Sequence, residues 1–245
     1  MFRVLLLCLL FPLAAQASDP AGVPRPTQLG HLAYGEADRD ALAPAQGGCV
    51  LRREVAADLA RMIARAAADG VELRTVSCFR SIEHQRRVFC RSSGEDCVQA
   101  SSPRARSVGP PGHSEHATGY AVDFTQRAVP CPDVEPCFAN TSAGIWLAHH
   151  AIEFGFEQSF PAGNAQGVTW EPWHWRWVGR EGDRRPEAQR ARLTFASART
   201  RFPAAPWVGQ PPRMQVAAVY RGARELPLLP VRAGQRAIGV VARAY

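Results

Sequence analysis

The 245-residue sequence contains no lysine, so arginine alone supplies its formal net charge of +7. A basic chain suits an anionic partner such as nucleic acid, a membrane surface or the acidic polymers of a cell envelope, but a coding bias towards arginine would give the same balance without functional meaning. No tight basic cluster is interleaved with aromatic residues, which argues against nucleic-acid binding. The hydrophobic fraction of 46% supports a packed core and excludes a globally disordered chain.

Long apolar runs are also scarce. The run from Val4 to Ala15 is too short to span a bilayer. Arg3 precedes it, and Ala15-Gln16-Ala17 has the small-residue pattern of a secretory cleavage site. We therefore predict a signal peptide over residues 1–17 and an exported protein, periplasmic or secreted, without a transmembrane anchor.

None of the seven cysteines has the spacing of a zinc ribbon. Cys8 lies within the predicted signal peptide, which leaves an even number of cysteines in an oxidising compartment and favours disulfides. The short separations favour Cys90–Cys97 and Cys131–Cys137. Cys49 and Cys78 then remain as the third predicted pair.

Hydrophobic periodicity predicts helices and strands in one principal domain, without internal repeats. Helical spacing favours helices at 53–68, 81–90, 142–154 and 186–199. Ser81 is a plausible N-cap of the second of these helices. Strand patterns occur at 71–79, 120–124 and 168–179, and long loops at 92–113 and 131–142. We predict that residues 18–48 form an extended entry segment. We also predict a proline-rich linker at 202–212, followed by a β-prone tail.

Two short segments carry the candidate chemistry. His116 and Asp123 are seven positions apart in S-E-H-A-T-G-Y-A-V-D, and Glu171 and His174 flank a proline in E-P-W-H. The H-E-x-x-H helix of many zinc proteases is absent. A hydrolytic zinc needs three protein ligands, an open position and a base that does not bind the metal. His116, Asp123 and His174 supply the three ligands in our hypothesis, and Glu171 supplies the base.

The four tryptophans between positions 170 and 177 surround Glu171 and His174. Rigid indole walls would keep a cleft dry, and burial raises the pKa of a carboxyl group towards neutrality. Core packing is the alternative interpretation, and we expect it for at least two of these tryptophans.

The same segments resemble a known family. Residues 114–123 match the S-x-H-x-x-G-x-A-x-D signature of zinc D-alanyl-D-alanine carboxypeptidases and dipeptidases of the vancomycin-resistance type, and E-P-W-H matches their E-x-x-H. S-C-F-R-S-I-E-H-Q at 77–85 resembles their S-G-Y-R-S-x-x-x-Q, and residues 143–161 resemble the helix and strand that precede E-x-x-H. The hedgehog signalling domain and some phage endolysins share their fold. The resemblance covers residues 45–180 approximately.

The resemblance implies a role for further residues. Arg80 would stabilise the scissile carbonyl as negative charge develops, since a guanidinium presents several donors and stays charged. Ser114 would bind the terminal carboxylate of the substrate, and Gln85 would shape the pocket. Cys78 departs from the family, which usually has glycine there. The implied fold is α+β, a small antiparallel sheet bearing one Zn²⁺ with flanking helices.

The function implied is that of an exported, monomeric zinc D,D-carboxypeptidase that hydrolyses the terminal D-Ala-D-Ala bond of peptidoglycan stem peptides. Another peptidoglycan peptidase activity on the same fold remains open: L,D- or D,D-endopeptidase, D,D-dipeptidase or L-Ala-D-Glu cleavage of the endolysin type. A non-catalytic, zinc-containing wall-binding module is the other alternative. We place the peptidase domain at residues 49–185, followed at 186–245 by a helix, the linker and a small extension.

Overall fold

The computed structural model describes residues 30–91 and 104–201. The predicted signal peptide, the partner Cys97 and the predicted linker and tail lie outside the described residues. Within the described ranges, no helix is long and apolar enough to cross a membrane.

The sheet that organises the fold has four antiparallel strands, and a two-stranded ribbon precedes it in the chain. The ribbon strands are β1 (Leu42–Pro44) and β2 (Val50–Arg52). The sheet strands are β3 (Arg74–Ser77), β4 (Ala121–Thr125), β5 (Phe156–Gln158) and β6 (His174–Trp177), in the spatial order β3-β4-β6-β5. The register places Asp123 of β4 opposite Ser77 on one side and opposite His174 on the other. The sheet therefore aligns residues from three separate segments.

Five α-helices pack around this sheet within the described residues: α1 (Arg53–Ala68), α2 (Ile82–Phe89), α3 (Ser142–His150), α4 (Pro186–Thr194) and α5 (Ala196–Arg201). The longest, α1, has the predicted bounds. Its apolar residues recur at helical spacing and are buried: Val55, Leu59, Met62, Ile63 and Ala66. The hydroxyl of Ser81 accepts the backbone N–H of His84 at 3.1 Å and caps α2 as predicted. Helices around a small antiparallel sheet confirm the α+β prediction.

Several predicted boundaries differ from the structure. The continuous helix predicted at 186–199 is two helices, because Phe195 leaves helical geometry between them and buries its ring against Tyr34 and Tyr120, at centroid distances of 5.6 and 6.0 Å. Of the strand predicted at 168–179, only β6 (His174–Trp177) forms. Part of the entry segment predicted at 18–48 forms β1 and pairs with β2.

The helix predicted at 142–154 is likewise shorter than expected. Helix α3 ends at His150, and a 3-10 turn, Ala151–Phe154, follows it. Gly155 then ends the turn with a φ of 86°, where an added Cβ would lie 2.7 Å from the carbonyl carbon of Gly179. Glycine is thus required at position 155 both for its backbone conformation and for space.

Ala188 and Ala191 of α4, Ala198 of α5 and Phe195 between the two helices belong to the same hydrophobic core as the sheet residues. The domain boundary near residue 185 stays a prediction.

Two of the three predicted disulfides are present in the described part of the chain. Cys49–Cys78 and Cys131–Cys137 have Cα–Cα distances of 5.6 and 5.8 Å. The Cys49–Cys78 bond links the residue before β2 to the residue after β3, and Cys78 occupies the position where the related family usually has glycine.

We expect removal of the two disulfides to have unequal effects. The Cys49–Cys78 bond closes 29 residues and Cys131–Cys137 closes 6. Because a longer loop loses more entropy when it is closed in the unfolded chain, replacing the first pair by serine should lower the free energy of unfolding by about 3–4 kcal/mol and the second by about 2 kcal/mol. Urea unfolding of both double variants measures this difference. Equal losses would contradict the loop-length explanation.

Candidate active site

The three predicted metal ligands lie together. One ligand atom each from His116, Asp123 and His174 lies within 4.8 Å of the others, and all three residues are buried. Among the described residues, no other group of three histidine, cysteine or acidic side chains meets the same condition.

His116 is positioned by a short 3-10 helix, Glu115–Thr118, which leads into β4. Gly119 ends this helix with a φ of 72°, a left-handed conformation that glycine adopts without strain. The Nδ1 atom of His116 lies 2.7 Å from the carbonyl oxygen of Cys78, which leaves Nε2 directed towards Asp123, at 3.0 Å from Oδ2. The backbone of the disulfide-bonded Cys78 thus supports the predicted ligand His116.

His174 and Asp123 are cross-strand neighbours on β6 and β4. The Nδ1 atom of His174 lies 2.8 Å from Oδ1 of Asp123. Burial alone would raise the pKa of Asp123, but the adjacent His116 and His174 hold that pKa well below its usual range. The central carboxylate is therefore ionised throughout the physiological pH range.

The donor set fits a divalent metal ion such as zinc. Two imidazole nitrogens and one carboxylate converge, and the second nitrogen of each imidazole contacts an oxygen outside the set: the Cys78 carbonyl for His116 and the Glu115 carboxylate for His174. Histidines that ligate zinc commonly bond such an oxygen through the nitrogen that does not bind the metal. Three protein ligands would leave one tetrahedral position open, as in hydrolytic zinc sites.

Glu171 lies beside this group in a tight turn. The backbone N–H of His174 donates to the carbonyl of Glu171 at 3.2 Å, with Pro172 at the second position of the turn, where its fixed φ is favoured. The turn directs both side chains into one cleft, with Glu171 Oε2 3.9 Å from His174 Nδ1. Burial raises the pKa of Glu171 to about 8. Its carboxyl group can therefore exchange a proton near neutral pH.

Arg80 follows β3 and lies at the edge of the cleft. One terminal nitrogen donates to Ser77 Oγ at 2.7 Å and lies 4.0 Å from Asp123 Oδ2, while the other donates to Gln85 Oε1 at 2.8 Å. Gln85 in turn donates to the carbonyl of Gly109 at 2.6 Å. Gln85 thus holds the guanidinium of Arg80 as well as a loop of the cleft wall.

A cleft of about 480 Å³ is lined by all seven predicted site residues: Arg80, Gln85, Ser114, His116, Asp123, Glu171 and His174. Ser114 precedes the 3-10 helix without capping it through its side chain. A shallower groove of about 660 Å³, next to the Cys49–Cys78 bond, shares Arg80 with the cleft.

The tryptophans divide between the cleft and the core. Trp173 lines the cleft, whereas Trp175 and Trp177 are buried in the core on the face of β6 opposite His174. Trp170 is partly exposed. Core packing of at least two tryptophans, as expected, is confirmed.

Sequence reasoning did not identify the buried polar residues behind His174. Glu115 and Arg176 are 2% and 1% exposed, and they form an ion pair at 2.9 Å. Burial would raise the pKa of Glu115, but Arg176 and His174 lower it to about 2. The sequence gives only a slight indication that these two residues are buried near the site. Glu115 stands between the motif residues Ser114 and His116, and Arg176 alternates with tryptophans on β6.

The chain is similar in sequence to curated proteins. YodJ of Bacillus subtilis (strain 168) is 33% identical over 134 residues, which cover 54% of this chain and 47% of YodJ. The D-alanyl-D-alanine carboxypeptidase of Enterococcus faecalis (strain ATCC 700802 / V583) is 32% identical over 124 residues, 47% of this chain and 44% of that protein. The chain thus spans about half the length of these curated relatives.

A solved structure has the same fold. The LdcB LD-carboxypeptidase superposes with a TM-score of 0.52 and 28% sequence identity, over 59% of this chain and 71% of that chain. Residues 48–180, more than half of the sequence, match the family described as VanY: D-alanyl-D-alanine carboxypeptidase. The chain therefore belongs to the VanY family of D-alanyl-D-alanine carboxypeptidases.

Proposed function

We propose that this protein is an exported zinc D,D-carboxypeptidase that removes the terminal D-alanine from peptidoglycan stem peptides ending in D-Ala-D-Ala. The observation that carries the proposal is the convergence of His116, Asp123 and His174 beside Glu171, a carboxylate outside the ligand set. The secretory pattern of residues 1–17 and the basic charge fit a carboxylate-rich wall polymer.

His116, Asp123 and His174 would hold one Zn²⁺, which supplies Lewis-acid polarisation of the scissile carbonyl and acidifies water. Glu171 accepts a proton from the attacking water and delivers it to the leaving amine. Its raised pKa suits both transfers, because a base works best when its pKa lies near the working pH. Arg80 donates to the carbonyl oxygen as negative charge develops there.

Ser114 and Gln85 have supporting roles in this proposal. The Ser114 hydroxyl, which lines the cleft, donates to the terminal carboxylate of the substrate. Gln85 fixes Arg80 through the 2.8 Å hydrogen bond, so that the guanidinium is oriented before substrate binds. The walls formed by Trp173 and Phe160 exclude water and strengthen these electrostatic interactions.

The similarity to an LD-carboxypeptidase favours one alternative, cleavage of the L,D bond before a single terminal D-alanine. The two activities differ in the stereochemistry of the residue before the cleaved bond. Val134, Glu135 and Pro136 of the predicted loop 131–142 line the cleft and could set this choice.

The test is incubation of the purified protein with synthetic stem pentapeptide and tetrapeptide, followed by mass spectrometry. We expect loss of one alanine from the pentapeptide and slow or no cleavage of the tetrapeptide. A metal chelator should abolish the reaction and Zn²⁺ should restore it. Preferential tetrapeptide cleavage would establish L,D-carboxypeptidase activity instead. Binding to cell wall without hydrolysis of either peptide would favour the non-catalytic module.

A further inference from the structure

Glu115 is a buried charged residue to which the proposed mechanism gives no role. It is 2% exposed, and its carboxylate accepts hydrogen bonds from three side chains and faces a ring nitrogen of His174. Oε2 lies 2.5 Å from Ser159 Oγ and 3.2 Å from His174 Nε2, and Oε1 lies 2.9 Å from Arg176 Nη1 and 3.4 Å from Tyr34 Oη. These contacts to both carboxylate oxygens hold the carboxylate in one fixed position.

His174 connects this carboxylate to the ligand set. Its Nδ1 faces Asp123 at 2.8 Å, and its Nε2 faces Glu115 at 3.2 Å. An imidazole binds a metal through a nitrogen that carries no proton, so a neutral His174 that ligates through Nδ1 must carry its proton on Nε2. Glu115 is the acceptor at that atom.

We propose that Glu115 is a positioning residue that fixes the ring orientation and tautomer of His174, so that Nδ1 is presented to the metal. The inference rests on the proposed metal site. It adds a carboxylate–histidine–metal arrangement to the ligand set. One 3-10 helix then supplies both His116, which binds the metal, and Glu115, which orients His174.

The residues around Glu115 fix the position of its carboxylate. Arg176 stands two residues after His174 on β6, so both side chains project from the same face of the strand. Its Nη1 binds Glu115, and its Nε donates to Glu157 at 2.8 Å. Glu157 therefore shares the ion-pair network with Glu115, but its carboxylate forms no hydrogen bond or ion pair with His174.

This difference provides a matched pair of variants. In Glu115→Gln, an amide N–H₂ facing Nε2 would favour the tautomer with the proton on Nδ1, the atom needed for the metal. We expect the zinc affinity of the intact protein, measured by chelator competition, to fall about 10–100-fold. The visible absorption spectrum of the Co²⁺-substituted protein should change as well. Glu157→Gln should keep the zinc affinity within about threefold of wild type and leave the Co²⁺ spectrum unchanged.

Several results would overturn the inference. Unchanged zinc affinity in Glu115→Gln would do so, and equal weakening in both variants would assign the effect to the Arg176 network. If circular dichroism shows that Glu115→Gln does not fold, Ser159→Ala removes only one hydrogen bond to the same carboxylate and should weaken zinc binding several-fold; wild-type affinity there would also overturn it. Failure of the wild type to bind zinc would instead refute the proposed function, on which this inference rests.

Discussion

Replacing Glu171 with glutamine is expected to lower kcat by about 10²–10⁴-fold, the usual contribution of a general base, while the zinc content stays at the wild-type level. Glutamine has nearly the same shape but cannot accept and release a proton at neutral pH. Glu171 lies outside the three-residue ligand set, so its loss should not release the metal. D-Alanine release and elemental analysis of zinc on the same preparation measure the two quantities.

Glu157→Gln is the control for this experiment. Glu157 is also a largely buried glutamate of the same sheet and forms an ion pair with Arg176. It does not line the cleft. Its substitution should change the stability of the fold with little change in kcat. Turnover by Glu171→Gln within tenfold of wild type, with zinc bound, would exclude Glu171 as the base.

Replacing Asp123 with asparagine is expected to weaken zinc binding by more than about 100-fold and to reduce D-alanine release to background. Loss of a residue that only supports a ligand costs 10–100-fold in metal affinity, and loss of the ligand itself should cost more. Asparagine removes the negative charge that offsets the cation, and its N–H₂ group can face His116 or His174 with a donor. Chelator competition measures the affinity, and an assay at saturating Zn²⁺ separates lost binding from lost chemistry.

Asp58→Asn provides the matched control for Asp123. Asp58 is also a buried aspartate, 1% exposed, but it lies on α1 and accepts hydrogen bonds from Trp177 Nε1 and Arg185 at 3.0 and 3.1 Å. Its substitution should lower the thermal midpoint without changing the zinc affinity. Equal loss of zinc in the two variants would mean that Asp123 acts through the stability of the fold.

The local sequence was sufficient to predict features whose cause is local. Helix α1 has its predicted bounds because five apolar residues recur at helical spacing before Asp69-Gly70. The N-cap at Ser81 followed from residue type and position. The ligand and base candidates were recognisable because the spacing from His116 to Asp123, and from Glu171 to His174, is fixed by a turn within each segment.

Two predicted elements are interrupted in the structure, one by a local turn and the other by tertiary packing. The predicted strand at 168–179 includes the turn at Pro172, and its tryptophans gave a strand-like alternation that begins in the structure only at His174. The predicted helix at 186–199 is interrupted because Phe195 turns its ring into the core between Tyr34 and Tyr120. The break at Phe195 is not visible in the hydrophobic pattern, since a buried aromatic residue is equally compatible with a continuous helix.

Residue type and spacings of a few positions were sufficient to predict a secretory pattern, the principal helices and the residues proposed to bind zinc. The alignment of Ser77, Asp123 and His174 on β3, β4 and β6 became known from the fold alone, since strand register is set by pairing between distant segments. The fold alone also revealed Glu115 behind His174, 59 positions away. A carboxylate is normally expected at the surface, and here it is buried because Arg176, Ser159 and Tyr34, from other parts of the chain, supply the partners that offset its desolvation.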